Sequence, residues 1–323
     1  MNFALIGAGS FGIKRANAIK NSKKGSLVKI FDTNKNNSKK ASEILKTKEA
    51  NNIEEIFNDK NIHVVCICAP NKFHKEFIIK GLKAGKHVFC EKPISTSLDE
   101  AEEIYNVSKN LNNQAQIGSN HRFFESIKFA KTLVDKNEIG EVLSFSGRIG
   151  HNGERIQNSW FWKKEISGGG TLIDNGCHLL DLSRYFIGDF KSGTGITSNL
   201  YWKKNISVED TVIGSFKTSD GKTASIFSSW RLLSGYFFIE LNGSDGYINV
   251  DGRFDTHGGD KVYWKGKDQK IQSKDFGDIK PNSYVEEIDS FIEKLESGNK
   301  CSPSIKDGLE VMRMVNFIYS KNR

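Results

Sequence analysis

Proline is scarce, four residues in 323, and no Pro/Gly-rich tether separates one part of the chain from another. The sequence therefore reads as domains that share an interface rather than units on a flexible linker. Long hydrophobic runs are missing too: nothing approaches the roughly eighteen apolar residues of a membrane span. The start, MNFALIGAGSFG, passes straight into a strand and a glycine turn, without the basic region, apolar core and small-residue cleavage site of a signal peptide. The expectation is a cytoplasmic protein with no membrane partner. Cysteine is sparse and scattered: Cys66, Cys68, Cys90, Cys177 and Cys301 form no CxxC pair and no cluster with histidine at zinc-ligand spacing. That excludes a disulfide framework and gives no metal site, leaving reduced, mostly buried thiols.

The net charge of +8 comes with no basic stripe. Lysines fall in isolated pairs (Lys23-Lys24, Lys39-Lys40, Lys163-Lys164, Lys203-Lys204) with acids between them. Without interleaved aromatics, such pairs read as solvated surface, so nucleic acid is not an expected partner. A phosphorylated or nucleotide-linked small substrate fits the charge equally well. With 37% hydrophobic and 27% charged residues the chain is globular, and it is long enough for two domains.

The first 120 residues alternate short β-branched runs with helical segments. Strands are expected at 2–7, 27–32, 63–69, 87–92 and 114–119, and helices near 11–22, 36–48, 73–84 and 97–112. That order predicts a doubly wound parallel sheet. Its first turn is Gly7-Ala8-Gly9-Ser10-Phe11-Gly12. The first glycine permits the tight turn, the second lets backbone approach a pyrophosphate, and the third lets helix and strand pack closely. Strand two ends at Asp32, twenty residues past Gly12, where a carboxylate accepts hydrogen bonds from an adenosine ribose and repels a 2′-phosphate. NAD is thereby favoured over NADP, although Lys35 and Lys39 soften the preference. Two more stretches follow later strands: Ala69-Pro70-Asn71-Lys72-Phe73-His74 and Cys90-Glu91-Lys92-Pro93. Both fall where doubly wound sheets bind ligands. Pro93 disfavours the α region at Lys92 and holds it extended, which leaves either an ammonium placed for a substrate oxygen or a solvated turn.

Beyond residue 120 the strands become longer and consecutive: 141–150, 194–202, 208–218, 222–233, 236–243 and 246–251. Turn signals such as Ser219-Asp220-Gly221-Lys222 imply a mainly antiparallel sheet. Helices are expected at 123–136, 171–187, 283–297 and 304–321. The stretch GGGTLIDNGCHLLDLSRYF, 168–186, is the unusual one. At about 100° per residue, Leu172, Ile173, Leu179, Leu180, Leu182 and Phe186 fill one arc, and Asp174, His178, Asp181 and Tyr185 gather within roughly 60° of one another opposite it. Asp181 and Tyr185 read as solvated, with Asp181 pairing locally with Arg184. Asp174 lies one turn from His178, the spacing that orients an imidazole and favours its protonated form, and the glycine run lets another backbone or a ligand approach the helix start. The residues alone leave a catalytic pair and a solvated face both open.

Taken in order, Gly7-x-Gly9-x-x-Gly12, Glu91-Lys92-Pro93 and Gly168-Gly169-Gly170-x-x-x-Asp174-x-Gly176-x-His178 resemble the Gfo/Idh/MocA family, named for glucose-fructose oxidoreductase and inositol dehydrogenase. The resemblance runs to the C-terminal segment SIKDGLEVMRMVNFIYSK. It implies an NAD-binding Rossmann domain at 1–120 and a substrate-binding and oligomerisation α/β domain at 121–323, with the last helix packing back on the first domain and an open sheet forming dimers or tetramers. It implies a sugar, sugar phosphate or nucleotide sugar whose secondary alcohol or ketone exchanges hydride with nicotinamide. Lys92 would hydrogen-bond the reacting oxygen, His178 would move its proton, and Asp174 would help orient both. Asn71 and His74 would lie along the cofactor, with Glu91 beside the nicotinamide ribose, and the Lys-Pro peptide is often cis. Arg148-Ile149-Gly150-His151 followed by Trp160 resembles a subgroup associated with nucleotide-sugar or surface-polysaccharide chemistry. That subgroup commonly has Trp-Arg before the glycines, where this chain has Trp160-Phe161-Trp162. Arg122, His151, Trp160 and Arg231 stand as candidate substrate contacts. Two other activities use the same scaffold: glycosidases that work by transient oxidation, and NAD-binding sensors, which tend to lose the lysine or histidine that this chain keeps.

Overall fold

A computed structural model describes residues 1–202, 207–252, 260–279 and 282–321; the Lys203-Lys204 pair lies outside them. The chain divides into two compact units, Met1–Ser119 with Tyr284–Met312, and Asn120–Ser283 with Arg313–Arg323.

The first unit is a six-stranded parallel sheet: β1 (Asn2–Ile6), β2 (Ser26–Phe31), β3 (Lys48–Glu49), β4 (Val64–Ile67), β5 (His87–Glu91) and β6 (Ala115–Gly118), in the order β3-β2-β1-β4-β5-β6. Between the strands run α1 (Ser10–Asn21), α2 (Lys35–Leu45), α3 (Glu54–Asn58), α4 (His74–Lys83) and α5 (Leu98–Ser108). Strands with helices on both faces carry no polar face, and β4 is buried at every residue. Only β3 and α3 lie outside the expected pattern; a two-residue strand and a five-residue helix are too short to show a period. The strand order reverses between β1 and β4, so the carboxyl ends of these strands flank the crevice where such sheets bind ligands.

The second unit holds α6 (Glu125–Asp135), β7 (Val142–Asn152), α7 (Lys164–Ser167), α8 (Cys177–Ile187), β8 (Phe190–Ser198), β9 (Thr211–Thr218), β10 (Thr223–Ser229), β11 (Arg231–Gly243), β12 (Tyr247–Gly252), β13 (Lys261–Lys265) and β14 (Gln272–Asp275). Its eight strands run β14-β13-β12-β11-β7-β10-β9-β8. Pairing is antiparallel except between β7 and β10. Residues 222–233 and 236–243, expected as two strands, divide differently: β10 ends at Ser229, the chain reverses around Trp230, and β11 begins at Arg231 with a bulge before Tyr236. The run SIFSSWRLL hides this reversal because it is apolar on both sides of the turn. β13 and β14 went unanticipated; β14, at the sheet edge, is exposed at every residue, and β13 beside it buries only Val262, so neither shows a buried alternation. α8 packs on β7, where an added Cβ at Gly147 would lie 2.8 Å from the Leu179 side chain.

Two C-terminal helices complete the chain, α9 (Ser283–Glu296) and α10 (Ile305–Tyr319). α9 joins the first unit's core through Ile288, Phe291 and Ile292, with Phe291 edge-on to Phe89. It also brings Glu287 to Arg15, which is wholly buried and pairs with Glu91 as well. One guanidinium thus faces two enclosed carboxylates. Burial is the larger effect and pushes Glu287 up to about 7, against the pull of Arg15 and with the repulsion of Glu91. The folded state therefore keeps a proton that the unfolded chain releases above 4.5, so this group favours the fold below that value and its contribution is lost as pH rises through about 7. Glu287→Gln, which keeps the shape and cannot ionise, should flatten the fall of Tm across that window, as measured by thermal melts at stepped pH; an unchanged slope would assign the pH dependence elsewhere.

Candidate active site

In the first unit the glycine turn is built as its residues require. Gly7 has φ +94°, and its N–H donates to Phe31 O at 2.9 Å. An added Cβ there would come within 2.6 Å of Cys68 backbone, and one at Gly12 within 1.9 Å of Gly7 O. At Gly9 a Cβ would meet nothing within 4 Å, so the turn is open on the side where α1 begins. The first turn of α1 carries no acid, and Ser10 and Phe11 are exposed beside it. Asp32 accepts from Ala8 N at 2.7 Å through Oδ2 and from Asn34 N at 2.8 Å through Oδ1. These bonds fix a partly exposed carboxylate next to the turn. An open glycine turn at a positive helix end, with an oriented acid at the next strand, fits a dinucleotide: pyrophosphate at Gly9 and the α1 amides, ribose hydroxyls at Asp32.

Lys92 follows β5 at the same carboxyl edge of the sheet, is partly exposed, and precedes Pro93 through a cis peptide. Pro70 and the buried Asn71 open the short helix after β4. His74 differs from its expected role along the cofactor. It is 1% exposed, with Nδ1 2.7 Å from Pro93 O and Nε2 2.8 Å from Ala69 O. Burial pushes this imidazole below its usual range, and a neutral ring donates one of those bonds at a time. His74 is thus a brace between the segments after β4 and β5. Glu91 is likewise enclosed, its carboxylate held by Arg15 Nε at 2.7 Å.

In the second unit, the helical stretch expected at 171–187 opens with a π turn, Leu172–Gly176, before α8. Such turns displace the residues that follow from ideal α spacing. Asp174 Oδ2 accepts from Trp230 Nε1 at 3.0 Å and Asn175 Nδ2 at 3.1 Å, and lies 3.4 Å from His151 Nε2. Trp230 is itself fixed, because its N–H donates to Asp210 O and its carbonyl accepts from Gly153 N, both at 2.8 Å. The His178 ring lies 3.9 Å from that of His121, which also packs on Phe124 at 4.4 Å. His178 and Asp181 are 6% and 5% exposed, so the charged stripe is not a solvated face.

Asp181 corrects the expectation most clearly. Instead of a surface pair with Arg184 it takes a two-pronged bond from Arg122, Nε to Oδ2 at 2.7 Å and Nη2 to Oδ1 at 2.6 Å. Arg184 reaches Asp189 Oδ1 at 3.0 Å. Arg122, expected at the substrate, is therefore engaged in a buried ion pair, with its guanidinium 4.9 Å above the half-buried Tyr185 ring. Removing one member of such a pair leaves the other charge enclosed. Arg122→Ala should destabilise the protein by about 3–5 kcal/mol, and replacing both members with leucine should recover most of that; denaturant melts of the three variants decide it. Of the other substrate candidates, His151 is buried against Asp174, partly exposed Trp160 stacks on Phe161 at 3.9 Å, and Arg231 lies 3.5 Å over the Tyr201 ring. Trp230, Asp210 and His121 escaped the sequence reading, since nothing local marks a tryptophan at a strand end as a carboxylate's donor.

Residues 1–119 match the oxidoreductase family with an NAD-binding Rossmann fold, and residues 127–249 match the GFO/IDH/MocA C-terminal domain. The chain is 28% identical to the levoglucosan dehydrogenase of Pseudarthrobacter phenanthrenivorans over 60% of its length and 56% of that protein's. It is 30% identical to the glucose-6-phosphate 3-dehydrogenase of Bacillus subtilis over 64% of its length and 58% of that protein's. These matches thus span less than two thirds of the relatives. A solved structure of levoglucosan dehydrogenase in complex with NADH and levoglucosan superposes with a TM-score of 0.89, covering 99% of this chain and 96% of that one at 23% identity, a likeness of fold. Cradle, sheet order and both domain matches agree: the chain belongs to the Gfo/Idh/MocA family of oxidoreductases, with an NAD-binding Rossmann fold in its first unit.

Proposed function

We propose that the protein is an NAD-dependent dehydrogenase or ketoreductase acting on a secondary alcohol or ketone of a sugar, sugar phosphate or nucleotide sugar. The observation that carries this reading is the position of Lys92, at the carboxyl edge that also bears the Gly7–Gly12 turn and Asp32. When bound, NAD supplies hydride acceptance and return at its nicotinamide. Lys92 donates to the substrate oxygen on which charge changes during the transfer. His178 carries the proton of that oxygen, and Asp174, held by Trp230, keeps the helix face around it in register. Pro70 and Asn71 line the cofactor's approach, while Glu91 and His74 act from behind it on the backbone that holds Lys92. His151, Trp160 and Arg231 remain the residues of the second unit proposed for sugar recognition. The relatives' names, levoglucosan dehydrogenase and glucose-6-phosphate 3-dehydrogenase, support a sugar.

The protein works as a homodimer or homotetramer. Supporting this are Ile196 and Ile213, paired in register between β8 and β9 and 69% and 51% exposed, with Phe227 and the exposed Arg148 continuing the row across β10 and β7. Five free cysteines fit a reducing cytoplasm.

The test is to identify any retained nicotinamide cofactor by mass and follow reduced-nicotinamide absorbance against a panel of sugars, sugar phosphates and nucleotide sugars. Net change in absorbance with one class supports the reading. Release of an aglycone with no net change would place the protein with the transient-oxidation glycosidases, and tight NAD binding with no turnover of any kind would make it a sensor.

A further inference from the structure

The three glycines before the π turn raise a question that cofactor chemistry leaves unanswered: what do they approach? An added Cβ at Gly170 would lie 1.9 Å from Glu209 O, and one at Gly169 would lie 2.0 Å from Tyr319 Oη. Neither position faces a ligand; both are pressed against Glu209 and the end of α10. Glu209 receives three consecutive amides from this turn. Its carboxylate accepts from Gly170 N and Leu172 N at 3.0 Å, and its backbone carbonyl accepts from Thr171 N at 3.1 Å. Tyr319 Oη then donates to the same carboxylate at 2.7 Å. Gly170 O accepts from Asp174 N at 3.0 Å. The peptide that starts the helix is thus held on its N–H side by Glu209 and leads directly on its carbonyl side to Asp174.

We propose that Glu209 and Tyr319 are positioning residues for the reaction, a carboxylate and a phenol that together hold the Gly168-Gly169-Gly170 turn and so place Asp174 and His178. The proposal rests on the reading of those two residues as part of the reacting site. The chemistry of the cradle suits the task. Three donors converge on the Glu209 carboxylate, the N–H groups of Gly170 and Leu172 and the Tyr319 hydroxyl; burial pushes this carboxyl above its usual range, and these same bonds pull it back toward the ionised form that accepts from all three. Burial pushes the Tyr319 hydroxyl well above its ordinary range, which keeps it a donor. A carboxylate at this end of a helix also meets the positive pole of the helix dipole. An ordinary cap would do no more than stabilise the helix. Here the held residues stand two and four positions before Asp174, close enough that a shift of about 1 Å reaches the carboxylate and the imidazole one turn further on.

Tyr319→Phe keeps the ring and removes the donor; Glu209→Gln keeps the shape and removes the charge. Each should lower kcat about 10-fold, with KM for NAD changed less than about 2-fold; Glu209→Ala should fall further, and the glutamine variant should recover part of that loss. Independently of turnover, the His178 imidazole resonances, assigned with His178→Ala, should move in Tyr319→Phe at an unchanged Tm. Unmoved His178 resonances in both conservative variants would overturn the proposal, as would wild-type kcat in both. If no sugar is turned over by the wild-type protein, the hydride-transfer reading fails, while the His178 resonances still decide whether Glu209 and Tyr319 place this helix.

Discussion

Lys92→Ala is expected to abolish measurable turnover, by about 10³-fold or more in kcat, while NAD binding stays within a few-fold of wild type. The magnitude follows from what one preorganised donor supplies where charge develops on a reacting oxygen: removal of a single neutral donor from such a site costs about 10²–10³ in rate, and Lys92 donates with a full positive charge. The separation of turnover from binding follows from the architecture. Affinity for the cofactor is assigned to the open turn at Gly9, the start of α1 and Asp32, all carried by β1, α1 and β2 rather than by the segment after β5 that bears Lys92. The backbone at position 92 is held from outside as well, by Pro93 and by His74 on the Pro93 carbonyl, so loss of the side chain leaves the segment in place. Calorimetry with NAD and stopped-time assays with the best sugar of the panel measure the two quantities separately. Rates near wild type would remove Lys92 from the mechanism, and loss of NAD binding would show that the substitution acts through the fold.

The parts of this architecture legible in the sequence are those in which a residue type answers a local demand. Gly7 declares a positive φ, Gly12 a close approach, and the switch from short β-branched runs to helical periods declares the parallel sheet. What escaped is long-range and two-body. Asp181 looked solvated because its partner, Arg122, lies 59 residues away and on no shared helix face. The donor to Asp174, Trp230, is 56 residues distant, and the amides of the glycine run find Glu209 across 37 and 39 residues. The helical wheel failed for a related reason. It assumes a uniform 100° step, and the π turn at Leu172–Gly176 breaks that step at Asp174. A wheel also separates a buried face from a polar one, whereas α8 is enclosed at His178 and Asp181 as well as along its leucines. In such a helix the polar residues are identified by the partners that satisfy them, since buried charge is tolerated only when paired.

Those partners shape the expectation for His178. His178→Ala should slow turnover about 100-fold and change its pH dependence, and the sign follows from the role. In the direction of alcohol oxidation the imidazole must be neutral to take the proton, so kcat rises with pH as the ring loses its own proton; in ketone reduction the protonated ring is the active form and kcat falls over the same range. Substitution should therefore remove the acid-side fall in oxidation and the base-side fall in reduction together, which a residue acting through packing alone would not do. Packing is a real competitor here, because the ring lies against His121 and is only 6% exposed. His178→Gln separates the two: it fills much of the same volume and keeps hydrogen-bonding atoms, yet cannot titrate. If His178 carries the proton, the glutamine variant should show the alanine variant's flat profile with a Tm near wild type. A glutamine variant with wild-type rate and an unaltered profile would leave His178 as a buried ring and send the search for the proton carrier to His151, the imidazole 3.4 Å from Asp174.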